Sequence, residues 1–197
     1  MECGGTILYV KKEFTCKPRT DLDKIVYKKR ELESSFVEIT ISKKKSIICG
    51  CIYKHPSMDI KEFNEEHLDS VLEKISNEKK NVFLMGDFNI NLLNMNTDKN
   101  VTEFFDIMVS KSLIPFIINP TRVTPFSKTI IDNIFSDSSH HNESLSGNIR
   151  THITDHFAQY LVIPIERKNN TISSKKFICD TKNLNSLEYI NDFTSIN

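Results

Sequence analysis

Three short acid-bearing motifs stand in order along the chain: Gly-Asp-Phe-Asn at 86–89, Ile-Asp-Asn-Ile at 131–134 and Thr-Asp-His at 154–156. Each lies beside Val, Ile, Leu, Phe or Met residues, as when a buried strand delivers a functional group at its end. An unpaired carboxylate is costly to bury, so Asp87, Asp132 and Asp155 are expected to meet cations or donors, or to line a wet cleft. Phosphodiester hydrolysis needs groups that polarise phosphoryl oxygens, orient or deprotonate water, and stabilise a leaving alkoxide. Carboxylates, Asn and His fill those roles, and together the motifs point to metal-dependent phosphodiester cleavage.

In an extended Asp-Phe-Asn, Asp87 and Asn89 share one face and both reach one phosphate while Phe88 points into the core. An Asx turn that closes the strand is the competing reading. Asp155 and His156 are neighbours, so an extended segment sends them to opposite faces, whereas a turn after residues 150–153 would let both line one cleft. Asp132 could orient His156 as a carboxylate fixes the tautomer of a catalytic imidazole. A surface hydrogen bond is the plainer account of an Asp-His pair.

The elements that must carry these groups follow from hydrophobic period and turn residues. Strands are expected at 5–10, 36–41, 47–53, 82–85, 129–135 and 160–165, with 36–41 and 47–53 forming a hairpin around the Lys run at 43–45. That run reads as a solvated tip rather than a DNA patch. Asp59 opens a helix whose apolar positions Phe63, Leu68, Val71, Leu72 and Ile75 keep a period near 3.6. A second helix at 101–112 places Phe104, Phe105, Met108 and Val109 on its core side and is stopped by Pro115 and Pro120. Strands thus alternate with helices and loops in an α/β pattern. His140 and His141 sit in a Ser-rich loop with no partner at ligand spacing and read as solvated.

With 197 residues the chain fits one domain plus a tail, assigned here as 1–165 and 166–197, the latter polar from Glu166 onward. Lys plus Arg and Asp plus Glu each total 26, so global charge names no partner and any nucleic-acid contact must be local. The five cysteines include no Cys-x-x-Cys pair, and Cys49 and Cys51 alternate on a strand as packing residues. No apolar run has membrane-spanning length, and 1–10 lacks the features of a signal peptide, so no membrane partner and an intracellular site, nuclear or cytoplasmic, are expected.

The order of the motifs resembles the endonuclease/exonuclease/phosphatase domain, most closely the apurinic-type endonuclease at the front of non-LTR (LINE-like) retrotransposon polyproteins. The match is carried by Gly-Gly-Thr-Ile-Leu-Tyr-Val at 4–10, Leu-Glu-Ser at 32–34, Ile-Tyr-Lys-His-Pro at 52–56, Leu-Met-Gly-Asp-Phe-Asn-Ile-Asn at 84–91, Asn-Pro-Thr-Arg at 119–122, Ile-Asp-Asn-Ile-Phe at 131–135 and Thr-Asp-His. The resemblance implies a four-layer α/β sandwich, two mixed sheets face to face with helices outside, and a Mg²⁺-assisted nick in DNA without a small-molecule cofactor. It gives Asp87 the proton chemistry at the water or leaving group, Asn89 a hold on the phosphate, and Asp155 a metal-ligand role. His156, oriented by Asp132, and the Tyr53 hydroxyl would contact the scissile phosphate. Thr121, Arg122 and Ser127 would line the groove, with Arg122 on a backbone phosphate.

The family also carries an Asn on its first strand and a metal-ligand Glu on a later one, both ahead of the Gly-Gly strand. The chain begins too late to contain either; Glu2 does not match the Glu motif, and Glu33 reads as structural. Expected consequences are a weakened Mg²⁺ site and an uncovered sheet edge. A retrotransposon reading frame truncated at both ends, without its reverse transcriptase, follows as the expectation. A non-catalytic DNA-binding remnant, or a phosphoesterase of the same fold with another substrate, remain alternatives.

Overall fold

The computed structural model describes residues 5–43, 45–137, 144–151 and 153–164. The tail at 166–197, Cys3, Cys179, His140 and His141 lie outside them.

The expected strand at 5–10 makes no ladder; it is held beside the sheet by side chains, with Thr6 Oγ1 2.9 Å from Ser35 Oγ, and it leaves Tyr9 90% exposed. The first strand, β1 (Thr15–Pro18), falls instead in the polar stretch that follows, and a short helix, α1 (Thr20–Asp23), comes next. Neither shows in the hydrophobic pattern, because every residue of β1 faces solvent. The expected hairpin is present and longer, as β2 (Leu32–Ser42) and β3 (Lys45–Lys54), with Lys43 and Lys45 at its tip.

Asp59 caps the next helix by accepting from the Glu62 amide at 3.0 Å, as its position before an amphipathic run requires. That helix runs as α2 (Ile60–Glu62), one π turn (Phe63–Leu68) and α3 (Asp69–Ser76). The π turn accounts for the loose period in the sequence: Phe63 and Leu68 stand five apart, the π spacing, and both reach the core. Strand β4 (Asn81–Asp87) follows, then a 3₁₀ turn (Leu92–Asn94) and α4 (Lys99–Ser110), capped by Asp98. Helix α4 buries Val101, Phe104 and Met108, while Val109 lies off that stripe and faces solvent, against expectation. It ends at Ser110, before either proline is reached, and Ser112 just beyond it takes φ 63°.

Strand β5 (Leu113–Pro115) precedes a small hairpin of β6 (Arg122–Val123) and β7 (Lys128–Thr129). The single strand expected at 129–135 is split, with β8 (Asp132–Asp137) starting afresh. Side chains take the ladder positions at the break: the Ile130 amide donates to Asn91 Oδ1 at 3.0 Å and the Ile131 amide to Thr121 Oγ1 at 3.2 Å. Finally β9 (Leu145–Ile149) pairs antiparallel with β10 (Ala158–Val162), which lies against β8.

The main sheet has six strands in the order β1-β2-β3-β4-β8-β5, antiparallel except for the β3–β4 pair. The architecture is α/β. One sheet face, with Phe36, Ile48, Ile52, Leu84 and Phe135, forms the core with Leu68, Leu72 and Met108 from the helices. Phe88, Phe104 and Phe135 meet there with ring centroids 5.5–5.8 Å apart. No helix among the described residues is long and apolar enough to cross a membrane.

Arg19 fastens the first two elements to this core. Its nearly buried guanidinium donates to Asp21 at 2.8 Å and to both oxygens of Glu78, just beyond α3, and lies 3.6 Å from Glu38. Arg19 holds Asp21 and Glu78 below the ordinary carboxylate range, and Lys80 does the same for Glu38. Because these carboxylates are depressed in the folded state, their contribution is present above their ordinary values, 3.8 for Asp and 4.5 for Glu, and fades as pH falls below them. Arg19→Ala is expected to lower stability by about 1–2 kcal/mol at neutral pH, the partners being partly solvated. Urea denaturation should show that difference shrinking below about pH 4.

Candidate active site

Sheet register assembles the first part of the site. Tyr53 of β3 lies beside Asp87 of β4, and Asp87 lies opposite Asp132 of β8, so the three stand in one row across adjacent strands. Ile48 and Ile52 face the helices, so the period of two puts Tyr53 and its row on the other face. Gly86 makes the row possible. It has φ 144°, and a Cβ there would sit 1.9 Å from the Ile52 carbonyl oxygen, so β3 and β4 approach this closely only around glycine.

Beyond Asp87 the chain is not extended. Asp87 Oδ1 accepts from the Asn89 amide at 3.0 Å and Asn89 takes φ 48°, so the Asx turn is what forms. Phe88 is buried as expected, and its amide donates to the Ile131 carbonyl at 3.0 Å. Asn89 Nδ2 donates to the Lys54 carbonyl at 2.8 Å, which ties the turn to the end of β3.

The second part is organised by Thr121. It is fully buried, so it cannot line a groove as expected; its hydroxyl accepts from the amides of Ile131 and Asp132, both at 3.2 Å. Its own amide donates to Thr129 O, and its carbonyl accepts from the Phe157 amide at 2.7 Å. One residue thereby fixes the start of β8, the β6–β7 hairpin and the segment bearing His156. Arg122 and His156 pair as a β-bridge beside it.

Asp155 and His156 diverge at the bend over 153–155. His156 Nδ1 lies 3.1 Å from each oxygen of Asp132, so Nδ1–H donates there and Nε2 is left as the outer nitrogen. The Asp155 carboxylate is taken by Arg122, whose Nε donates to Oδ2 at 2.6 Å. Ser127 is exposed in the β6–β7 turn, its hydroxyl 2.9 Å from that of Thr124, and beside it Phe126 is 98% exposed. Sequence patterning gave no sign of Phe126, since an apolar residue near a proline reads as core or turn.

The electrostatics follow from this packing. Burial raises the Asp87 pKa above the ordinary carboxylate range and Asp132 adds to the rise, with the Asn89 amide, His156 and Arg122 offsetting part of it. Arg122 holds Asp155 below that range. Lys54, at 1% exposure, escaped the sequence reading; burial lowers its pKa, against the pull of Asp59 and Asp87. Continuing the inward period from Ile48 through Ile52 would have found it.

Asp87, Asp132 and His156 each offer a ligand atom, all within 4.8 Å of one another, a span that fits one cation. Glu62, Glu66 and His67 are grouped as closely, but Lys28 binds Glu62 and His67 Nδ1 donates to Ile25 O.

A family model described as endonuclease-reverse transcriptase matches residues 47–160, which span β3, β4, β8 and the Asp132–His156 pair. The chain belongs to that endonuclease-reverse transcriptase family. Solved structures share its fold at low identity. The endonuclease domain of TRAS1, a telomere-specific non-LTR retrotransposon, is 12% identical over 80% of this chain and 72% of its own, with a TM-score of 0.61. The 3′ phosphatase NExo from Neisseria, bound to a product DNA hairpin, is 12% identical over 79% and 72%, with a TM-score of 0.51. An endonuclease/exonuclease/phosphatase from Beutenbergia cavernae DSM 12333 is 14% identical over 74% and 42%, with a TM-score of 0.50. No curated protein sequence matches the chain.

Within this endonuclease-reverse transcriptase domain, Thr121→Val is expected to strand two buried amides and cost about 1–3 kcal/mol, whereas Thr121→Ser should be nearly neutral. Thermal denaturation of the two variants checks the difference.

Proposed function

We propose that the chain hydrolyses phosphodiester bonds in DNA with a divalent cation, Mg²⁺ by its family resemblance, and nicks one strand in the manner of a retrotransposon endonuclease. The observation that carries this reading is the convergence of Asp87, Asp132 and His156, from three separate segments, on one cluster, with Arg122 bridged to His156 beside it. The Asp87 and Asp132 carboxylates lie within the span of one ion and fit a cation that polarises a phosphoryl oxygen, with the His156 ring beside it. The catalytic domain in this reading ends near residue 165.

Around that ion the side chains divide the work. Asp132 holds the His156 ring by Nδ1, so that Nε2 meets the phosphate. Asp87, whose pKa burial raises, is placed to handle the proton of the attacking water or the leaving group. Asn89, tied to Lys54 by one Nδ2 hydrogen, keeps the second for a phosphate oxygen, and the Tyr53 hydroxyl approaches the same group. Arg122 engages the DNA backbone from the base of the β6–β7 hairpin, with Ser127 further out in its turn. Phe126 at that tip offers a bare ring on which a base can stack.

Purified protein with Mg²⁺ should nick supercoiled plasmid, and Asp87→Ala and His156→Ala should each lower the rate about 10²-fold or more. Absence of nicking across Mg²⁺ concentrations, with salt-sensitive DNA binding retained, would favour the non-catalytic alternative. Phe126→Ala should weaken binding of a labelled duplex carrying an unpaired base about fivefold or more, since stacking contributes about 1–3 kcal/mol per base.

A further inference from the structure

Arg122 and Asp155 occupy one another. The guanidinium Nε donates to the carboxylate Oδ2 at 2.6 Å, and both side chains are 44% exposed. The backbone fixes this meeting, because the Val123 amide donates to the Asp155 carbonyl at 3.3 Å and Arg122 bridges His156. Each partner is nevertheless suited to another ligand. A guanidinium fits the oxygens of a phosphodiester, and a carboxylate fits a hard divalent cation. Both stand beside the Asp132–His156 pair: Asp155 directly precedes His156 in the chain, and Arg122 is bridged to His156 through the backbone.

Resting on the nuclease reading above, we infer that the Arg122–Asp155 ion pair is an exchange latch that couples substrate and cation binding. A backbone phosphate takes Arg122, and Asp155 is released to the cation beside Asp87 and Asp132. Binding a cation at Asp155 frees Arg122 in turn, so each ligand strengthens the other by the same factor, as linkage requires. A half-exposed ion pair contributes little stability, so it exchanges at small cost. The free protein then keeps its cation loosely until DNA arrives. Its Asp155 carboxylate is neutralised meanwhile by Arg122 rather than left to repel the phosphate backbone.

Mn²⁺ binding to the DNA-free protein, followed by electron paramagnetic resonance, tests this without reference to cleavage. Arg122→Gln should tighten Mn²⁺ about two- to fivefold, the scale of an exposed ion pair. That gain should vanish in the Arg122→Gln, Asp155→Asn double variant, because it acts through the released carboxylate. An equal gain in the Asp155→Asn background would mean only that a nearby positive charge had been removed, and would overturn the latch; so would no gain at all. Saturable Mn²⁺ binding in wild type together with either of those results would leave the active-site reading standing. Absence of saturable binding in every variant would remove that reading and the latch with it.

Discussion

Asp87 and Asp132 face each other across an antiparallel strand pair, one half-buried and the other nearly buried. Like charges directly opposed on a sheet are destabilising, and burial sharpens the repulsion by thinning the water between them. Positive charge brought to it relieves that repulsion. His156 Nδ1–H meets Asp132 at 3.1 Å, Arg122 brings positive charge nearby, and the span of the donor atoms admits a cation. Neighbouring structure is arranged around that pair: the glycine that lets β3 and β4 close up, the turn that pins Asp87, and the buried threonine that anchors Asp132 and the His156 segment together.

Thr121 shows how a residue can serve a site without touching its ligand. A hydroxyl that accepts two amides where the sheet ladder is broken lets the chain leave β7, begin β8 and hold residue 157 from one point. The hairpin between β6 and β7 then projects outward with Arg122 at its base and Phe126 at its tip. Buried groups lie within and exposed groups without.

Much of this was legible in the residues. Gly-Asp-Phe-Asn at the end of an apolar run fixed the position of Asp87, and the acid before Asn133 with the His after Asp155 announced a pair that geometry could close. Period-two and period-3.6 patterns found the β2–β3 hairpin, β4 and both long helices. What stayed hidden has physical causes. Strand β1 is exposed along its whole length and so carries no hydrophobic signature, while 5–10 carries one without a partner to pair with. The break before β8 depends on Asn91 and Thr121, which are distant in sequence from the strand they interrupt. Which partner Asp155 chooses is likewise decided in three dimensions, by a hairpin 33 residues away.

In the proposed function, side chains from several segments of the chain, which meet within the span of one ion, bind a divalent cation. Paramagnetic broadening of amide resonances by substoichiometric Mn²⁺ tests it most directly. The account requires signals from Tyr53, Asp87, Asp132 and His156 to disappear together and first. Broadening centred on Glu62, Glu66 and His67, or spread evenly over surface acids, would contradict it.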